Sequence, residues 1–333
     1  MTASQLHPIV PLLEASLAPR LSLLDPRHEG AVRLFNGFYE GEPDLVVDIY
    51  ARTLVIFNHA DVPAQAQEAI RAAQAFFLSQ LPWVQAIVLK TRHGETLEAR
   101  HGVLLYGEKP DQHLREHGVR YTIDLLLSQD AGFYLDTRGL RQWALSNLSG
   151  KTVLNAFAYT GSLGVAARAG GASRVVHLDR SRKFLNIAKS SYTLNGFPIY
   201  KLDFQAADFW TWTSRMRREG ERFDCVFLDP PFFSLTSKGR VDLVGESARL
   251  INKARPLVNP GGYLVAVNNA LFVSGKQFIA TLEKLCADGY LSIEELIPVP
   301  SDVTGYPQAI RCSPPADPAP FNHSTKIAVL RAK

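Results

Sequence analysis

The residues best suited to chemistry follow short apolar runs in the C-terminal two thirds of the chain. These positions are Asn155-Ala156-Phe157-Ala158-Tyr159-Thr160-Gly161, Asp179, and Asp229-Pro230-Pro231-Phe232. Short, continuous apolar runs are typical of strands buried on both faces of a parallel sheet. Ligands of such sheets bind at the carboxyl ends of the strands, so the residues just beyond each run are the first candidates for a site.

The turn after the first run favours a nucleoside cofactor without a pyrophosphate. It holds one glycine, Gly161, whereas a dinucleotide site needs GxGxxG so that the backbone can approach a pyrophosphate. NAD and FAD are therefore disfavoured. S-adenosylmethionine (SAM) has no pyrophosphate, and a looser turn containing an aromatic residue and a hydroxyl could hold its amino acid portion.

Two acidic residues could hold the rest of such a cofactor. Asp179 ends the second run, twenty-four residues after Asn155, where a carboxylate can accept both ribose hydroxyl hydrogens. In AADFW, Asp208 could accept a hydrogen from the adenine amino group while Phe209 covers the ring. The alternative is that Asp179 and Asp208 only cap helices. Candidate cofactor residues at the ends of three successive strands, counting the turn after the first run, are harder to explain by capping.

The Asp229-Pro230-Pro231-Phe232 turn could hold a planar nucleobase. Two consecutive prolines fix φ and end the strand in a rigid turn with exposed carbonyls. Asp229 and the Pro230 carbonyl could accept hydrogens from an amino edge, and Phe232 or Phe233 could stack on the ring. A flipped base would then be aligned for in-line methyl transfer, with a proton accepted where one is lost. The alternative is a proline-rich loop that merely ends a strand.

The elements that position these residues predict a doubly wound, mostly parallel α/β domain over residues 119–333. KTVLNAF, RVVHLDR, FDCVFLDPP and GYLVAVNN are the apolar runs, and helical stretches such as SRKFLNIAKSSYTLNG lie between them. Before this domain we expect a helical segment at residues 1–28. A small α+β domain of strand-strand-helix-strand-strand order is expected at 29–118.

Composition fits an ordinary globular protein, with 46% apolar and 20% charged residues. Residues 1–115 hold ten basic and thirteen acidic residues, net −3, and the remainder holds twenty-six and nineteen, net +7. A basic C-terminal part suits a phosphate-rich partner, although a mixed-charge surface is an alternative. No sequence run is long enough for a membrane span. The three scattered cysteines predict neither disulfides nor a metal site, and we expect a cytoplasmic protein.

The combination of motifs resembles bacterial SAM-dependent methyltransferases of 23S rRNA, the group that acts on cytosine C5 or guanine N7. The motifs that carry this resemblance are GFYLDTR (132–138), LNAFAYTGSLGVAARAGGASRVVHLDRS (154–181), LNG (194–196) and LDPPFFS (228–234). LFNGFYEGEPDLVVDIYARTLVIF resembles the strand-rich domain that precedes catalysis in this family. The resemblance implies a class I, Rossmann-like fold. The N-terminal PUA module of the cytosine branch is expected to be absent.

The resemblance also implies roles for individual residues. The cofactor-binding residues would be Tyr134, Asp136, Arg138, Asn155, Phe157, Tyr159, Thr160, Gly161, Asp179, Arg180, Asp208 and Phe209. Asp229, Pro230, Pro231 and Phe232 would form the catalytic turn, and Phe233, Asn268 and Asn269 would contact the substrate base. Arg138 could pair with the SAM carboxylate, or form a surface salt bridge instead.

One departure from the cytosine branch favours guanine. Methylation at cytosine C5 requires a thiolate to add to C6, and in that branch the cysteine follows the fifth strand. This chain has Asn268 and Asn269 there, as in the guanine N7 branch. Two alternatives stay open: a cytosine C5 enzyme with an unexpected cysteine, and a non-catalytic SAM-binding or RNA-binding ribosome assembly factor. Methyl transfer to a small molecule is disfavoured by the basic catalytic domain.

Overall fold

The computed structural model describes residues 7–236, 239–312 and 321–333. The chain divides into two compact units. The first holds the described residues within Met1–Leu135 and Pro300–Ser313, and the second those within Asp136–Val299 and Pro314–Lys333. The expected boundary after residue 118 falls inside a hairpin of the first unit, which extends to Leu135.

The elements are numbered in chain order. The strands are β1 Ala31–Asn36, β2 Leu45–Tyr50, β3 Thr53–Asn58, β4 Ala86–Thr91, β5 Val103–Tyr106, β6 His113–Glu116, β7 Val119–Thr122, β8 Thr152–Ala156, β9 Arg174–Asp179, β10 Phe204–Ala206, β11 Phe223–Leu228, β12 Phe233–Thr236, β13 Gly239–Asp242, β14 Val258–Asn268, β15 Leu291–Ile297 and β16 Lys326–Ala332. The α-helices are α1 Val10–Leu17, α2 Gly37–Glu40, α3 Gln67–Gln80, α4 Leu97–His101, α5 Arg138–Asn147, α6 Ser162–Ala169, α7 Arg182–Leu194, α8 Phe209–Glu219, α9 Ser247–Ala254, α10 Gly275–Cys286 and α11 Ser301–Thr304. Short 3-10 helices occur at Ala18–Leu23, Pro63–Ala66, Lys201–Asp203 and Arg255–Leu257.

The first unit is built on a mixed sheet of order β1-β2-β3-β4-β5, with α3 connecting the parallel pair β3 and β4. Three strands precede α3, where the sequence suggested two. The difference arises because LVVDIYARTLVIFN folds back on itself as the β2–β3 hairpin, with Ala51 at φ +53° in its turn, while AVRLFN forms β1 separately. Apolar residues of α1 and α3 pack on this sheet.

Residues 300–312 return to the first unit, which the local sequence pattern did not indicate. The buried Arg20 guanidinium pairs with Glu40 at 2.8 Å and donates to the backbone carbonyl of Asp302. The Asp302 carboxylate in turn accepts the backbone N–H of Arg33 in β1. A buried ion pair is stable only when its remaining polar atoms are hydrogen-bonded. The Asp302 carbonyl in α11 accepts one of these hydrogen bonds.

The second unit confirms the predicted doubly wound α/β fold. Within its described residues the sheet has the order β10-β9-β8-β11-β14-β16-β15, with the first five strands parallel and β16 antiparallel to both its neighbours. Apolar clusters fill both faces of the sheet, which explains why the central strands are continuous apolar runs. None of the helices in the described ranges has the length and apolar character required to cross a membrane.

Strand register brings the predicted site residues to one edge. Leu178 lies opposite Ala156, and Ala156 lies opposite Leu228 in the next strand. The residues that follow them are Asp179, Phe157 and Asp229. Because neighbouring parallel strands end together, these three residues leave the sheet side by side.

Candidate active site

The turn after β8 has an unusual backbone. Phe157 and Tyr159 have φ values of +58° and +50°, and Gly161 has +84°. The left-handed region costs a non-glycine residue about 1–2 kcal/mol. Two hydrogen bonds hold the turn to β9, from Ala158 N–H to the Leu178 carbonyl and from Tyr159 N–H to Asp179 Oδ2, both at 2.9 Å. Strain concentrated in one loop motivates the hypothesis that the loop contacts a ligand.

A buried histidine lies directly beneath this turn. A Cβ on Gly164 would come within 2.4 Å of His177 Cε1, so α6 approaches β9 closely only because glycine stands there. Burial lowers the pKa of His177 to about 3, and the imidazole is therefore neutral. Asn155 is also buried, and its Nδ2 lies 3.5 Å from His177 Nδ1. His177 is a supporting residue that the sequence analysis did not single out.

Asp179 is held in a fixed orientation. Its Oδ1 accepts the backbone N–H of Ser181 at 2.7 Å, while Oδ2 accepts that of Tyr159. Burial raises the pKa of this carboxyl despite those hydrogen bonds. The N-cap residue of α7 is Ser181, whose side chain accepts the Phe184 N–H. Capping of this helix therefore does not by itself explain the position of Asp179. Arg180, the residue between them, is exposed.

Asp208 does cap a helix. Its Oδ1 accepts the backbone N–H of Thr211 at 3.1 Å at the start of α8. Phe209 is buried, and its ring centroid lies 4.7 Å from that of Phe157. The capping alternative raised from the sequence therefore accounts for one oxygen of Asp208. The aromatic pair beside it joins the turn after β8 to the segment after β10.

Two carboxyl groups lie close together at this edge, Asp229 after β11 and Asp136 before α5. Burial, together with the nearby Asp136 carboxylate, raises the pKa of Asp229 to about 7. Asp136 Oδ2 accepts the Thr325 hydroxyl at 2.6 Å, whereas its buried Oδ1 has no hydrogen-bond partner within the described chain. A buried carboxylate oxygen without a donor is costly. The arrangement therefore fits a ligand that brings a cation or a proton donor.

Two asparagines at the end of β14 have different surroundings. Asn268 is fully buried: its amide donates to the Leu243 carbonyl and Ser247 Oγ, and its Oδ1 accepts the N–H of Ala270. Asn269 Nδ2 lies 3.4 Å from the Pro230 carbonyl, and its buried Oδ1 has no partner among the residues described. The amide of Asn268 thus connects structural segments, while Asn269 faces the catalytic turn with a free acceptor.

Exposed aromatic residues lie in the Asp229-Pro230-Pro231-Phe232 turn, directly after it, and in the loop after β14. Phe232 and Phe233 are 44% and 56% exposed, and Phe272 in the loop after β14 is 76% exposed. The buried Lys326 ammonium donates to the carbonyls of Ala270 and Val273 and so fixes the loop that carries Phe272. The sequence analysis did not identify Phe272 or Lys326. Phe272 could have been noticed because it is a phenylalanine in a loop that has no apolar pattern.

The GFYLDTR segment spans both units. Tyr134 belongs to the first unit, is 44% exposed, and donates its hydroxyl to Asp130 Oδ2 at 3.0 Å. Asp136 and Arg138 belong to the second unit, where Arg138 is half-buried at the start of α5. Among the described residues, no cluster of three or more His, Cys, Asp or Glu side chains has an arrangement that could hold a metal ion.

Comparisons with known proteins identify the family. The family model of S-adenosylmethionine-dependent methyltransferases matches residues 64–300. The ribosomal RNA large subunit methyltransferase I of Photobacterium profundum is 33% identical over 264 residues, covering 78% of this chain and 64% of the relative. The protein of the same name from Aeromonas salmonicida is 32% identical over 283 residues, covering 81% and 69%.

A structural comparison agrees with the fold. A crystal structure of a protein described as a methyltransferase in complex with SAH superimposes with a TM-score of 0.82 at 22% identity, covering 97% of this chain and 81% of that one. This likeness supports the class I, Rossmann-like architecture. The chain spans slightly less than two thirds of the Photobacterium relative's length. With most of its length matched by the family model, the chain belongs to the S-adenosylmethionine-dependent methyltransferase family.

Proposed function

We propose that this protein transfers a methyl group from SAM to a guanine base of 23S rRNA in the bacterial cytoplasm. The names of its relatives support an rRNA substrate. The choice of guanine over cytosine rests on one observation, the surroundings of the three cysteines. The non-catalytic alternative is disfavoured because Asp179 and Asp229 lie at the same edge of the sheet, and the backbone of Tyr159 orients the Asp179 carboxylate.

The residues at the edge fit SAM. When bound, SAM supplies an electrophilic methyl group on a sulfonium centre. In our proposal Phe157, Tyr159, Thr160 and Gly161 hold its methionine portion, Asp179 the ribose, and Asp208 with Phe209 the adenine. Asp136, whose buried Oδ1 lacks a donor, suits a cationic ligand. Arg138, Asn155 and Arg180 of the second unit remain candidates for the same pocket, by resemblance.

The catalytic turn suits the Watson–Crick edge of guanine. An ionised Asp229 can accept two hydrogens, one from the ring N–H and one from the amino group. Phe232 and Phe233 expose faces on which a flipped base can stack. Phe272 offers a further aromatic surface on the neighbouring loop. These residues orient the base, so that a ring nitrogen that is already nucleophilic needs no covalent activation.

None of the three cysteines has the surroundings of a catalytic thiolate. Cys225 lies within β11 with no exposed surface, and burial raises its pKa well above the ordinary value. Cys286 ends α10, where burial also raises the pKa of the thiol. Cys312 belongs to the first unit, and its Sγ lies 2.8 Å from the Phe38 carbonyl. A reactive cysteine requires a lowered pKa, so these surroundings favour guanine over cytosine C5.

We therefore expect the triple variant Cys225→Ala, Cys286→Ser, Cys312→Ser to keep methyl-transfer activity within about threefold of the wild type, since no thiolate adds to the base. The measurement is transfer from tritiated SAM to 23S rRNA transcribed in vitro. Circular dichroism and SAM titration check that the variant is folded. Complete loss of activity in a folded variant that binds SAM would instead support the hypothesis that the enzyme methylates cytosine C5.

The carboxyl pair predicts a pH dependence. If the ionised form of Asp229 accepts from the base, kcat/KM should rise with pH through about 7, the pKa to which burial and Asp136 raise this group. Asp136→Asn removes a like charge, so the remaining activity should show its inflection at lower pH. We would measure pH profiles of both proteins at constant ionic strength. An inflection at the same pH in both would rule out the coupling.

The direct test of substrate and base is digestion of the labelled RNA to nucleosides. Transcribed 23S rRNA is incubated with enzyme and tritiated SAM, and the labelled nucleoside is identified by chromatography against standards. Label in a methylguanosine supports the proposal. Label in a methylcytidine would overturn the choice of base, and transfer to no RNA would overturn the proposed function.

A further inference from the structure

A basic groove lies between α8 and α9, outside the candidate active site. The cavity has a volume of about 530 Å³ and is lined by Trp210, Thr211, Ser214, Arg249, Asn252 and Lys253. Its lining combines two cations with hydroxyl and amide groups and holds no carboxylate. Lys253 Nζ spans the two helices and donates to Ser214 Oγ at 2.5 Å.

The positive charge in the groove is only partly neutralised. Arg249 pairs with Glu246 at 3.1 Å, but Glu246 also pairs with Arg240 at the same distance. Lys253 and Arg217 form no ion pair within the described residues. Burial, together with the charges of Arg217 and Arg249, lowers the pKa of Lys253. An anion in the groove would relieve this repulsion between like charges.

The indole of Trp210 is not available as a stacking surface. The Arg249 guanidinium lies over its ring at 4.7 Å from the centroid. On the hairpin side, a Cβ on Gly239 would come within 2.6 Å of the ring, so β13 packs closely against Trp210. The groove therefore offers charge and hydrogen-bond donors rather than an aromatic face. Those groups recognise a phosphate and carry no information about base identity.

The groove is connected to the catalytic turn. The hairpin of β12 and β13 begins at Phe233, directly after Phe232, and its second strand contacts Trp210. On the other side, Asp208 is the N-cap residue of α8 and lies at the same edge of the sheet as Asp229. An RNA strand whose base enters the catalytic turn could thus pass its backbone over the hairpin toward the two helices.

We propose that the groove between α8 and α9 binds a phosphodiester of the RNA strand that carries the target base. Lys253 of the lining would be the principal cation, assisted by Arg217, which lies on α8 outside the lining. This inference rests on the proposed RNA substrate. It adds a backbone contact outside the site that the strand ends form. Its function is to hold and orient the RNA, so its loss affects RNA binding rather than the chemical step.

The test compares two double variants of equal charge. Arg217→Gln with Lys253→Gln removes the lining cation Lys253 and the adjacent α8 cation Arg217. The control, Arg218→Gln with Lys284→Gln, removes two exposed cations elsewhere on α8 and α10. We expect the groove variant to bind transcribed 23S rRNA about tenfold more weakly and to lose roughly 0.7 from the slope of log K against log salt, the value for one phosphate contact on a single strand.

Further readouts separate the possible outcomes. The groove variant should keep the wild-type SAM affinity and kcat while its KM for RNA rises. RNA affinities that are equal in the wild type, the groove variant and the control would overturn the groove proposal, even if the wild type methylates RNA. A groove that binds inorganic phosphate but leaves RNA affinity unchanged on substitution would also overturn it. A wild type that neither binds nor methylates RNA would overturn the proposed function as well.

Discussion

Replacing Asp229 by asparagine is expected to slow methyl transfer to RNA at least about 100-fold, while SAM affinity changes by less than about threefold. The amide preserves the shape of the side chain but cannot accept two hydrogens from a base edge. Each hydrogen bond to a charged group contributes about 1.5–3 kcal/mol. Because about 1.36 kcal/mol corresponds to a tenfold change in rate, the loss of both bonds would slow the reaction at least about 100-fold. Because Asp229 has no hydrogen bond to the described protein, its substitution leaves few internal contacts unmatched.

The measurement is the single-turnover rate with saturating SAM and transcribed 23S rRNA, with SAM affinity determined by calorimetry. Asp288→Asn is the matched control, since Asp288 is an exposed carboxylate after α10 that pairs with Arg255. It should keep the wild-type rate. If the Asp229→Asn enzyme transfers methyl groups within threefold of the wild-type rate, the carboxylate does not orient the base.

Replacing Asp179 by alanine is expected to weaken SAM binding about 100-fold without unfolding the second unit. The carboxylate would hold both ribose hydroxyls, and two hydrogen bonds to a charged group are together worth about 3 kcal/mol or more. Its loss also frees the N–H groups of Tyr159 and Ser181, which fix the turn after β8. Calorimetric titration measures the affinity, and circular dichroism reports the fold.

A second variant separates the ribose contact from the support of the turn. Ser181→Ala removes the side-chain cap of α7 but leaves the Asp179 carboxylate in place. Loss of such a cap costs about 1 kcal/mol of stability, and SAM affinity should fall by no more than a few fold. An equal loss of affinity in both variants would mean that Asp179 acts only through the local fold.

The arrangement of the site along the sheet could be predicted from the sequence. Apolar runs of five or six residues identified the parallel strands, and each acidic residue that followed a run is found at the same edge. This succeeds because burial on both faces leaves a continuous apolar signal, and parallel strands end together. The proposed catalytic residue Asp229 and the cofactor candidate Asp179 are the clearest cases.

What the sequence could not indicate depends on contacts between distant segments. The left-handed backbone at Phe157 and Tyr159 is sustained by β9, and neither residue type favours that conformation. The return of residues 300–312 to β1 depends on a buried network around Arg20. Similarly, the loop that carries Phe272 is held by hydrogen bonds from the Lys326 ammonium. The local sequence pattern would instead predict that Lys326 is exposed at the end of a strand.

In the proposed function, one edge of this sheet brings SAM to a guanine of 23S rRNA. The most direct measurement is mass spectrometry of rRNA nucleosides from cells with the gene, without it, and complemented with the Asp229→Asn variant. We expect one methylguanosine in 23S rRNA to disappear with the gene and to return with the wild type but not with the variant. Loss of a methylcytidine instead, or an unchanged nucleoside profile, would contradict this account.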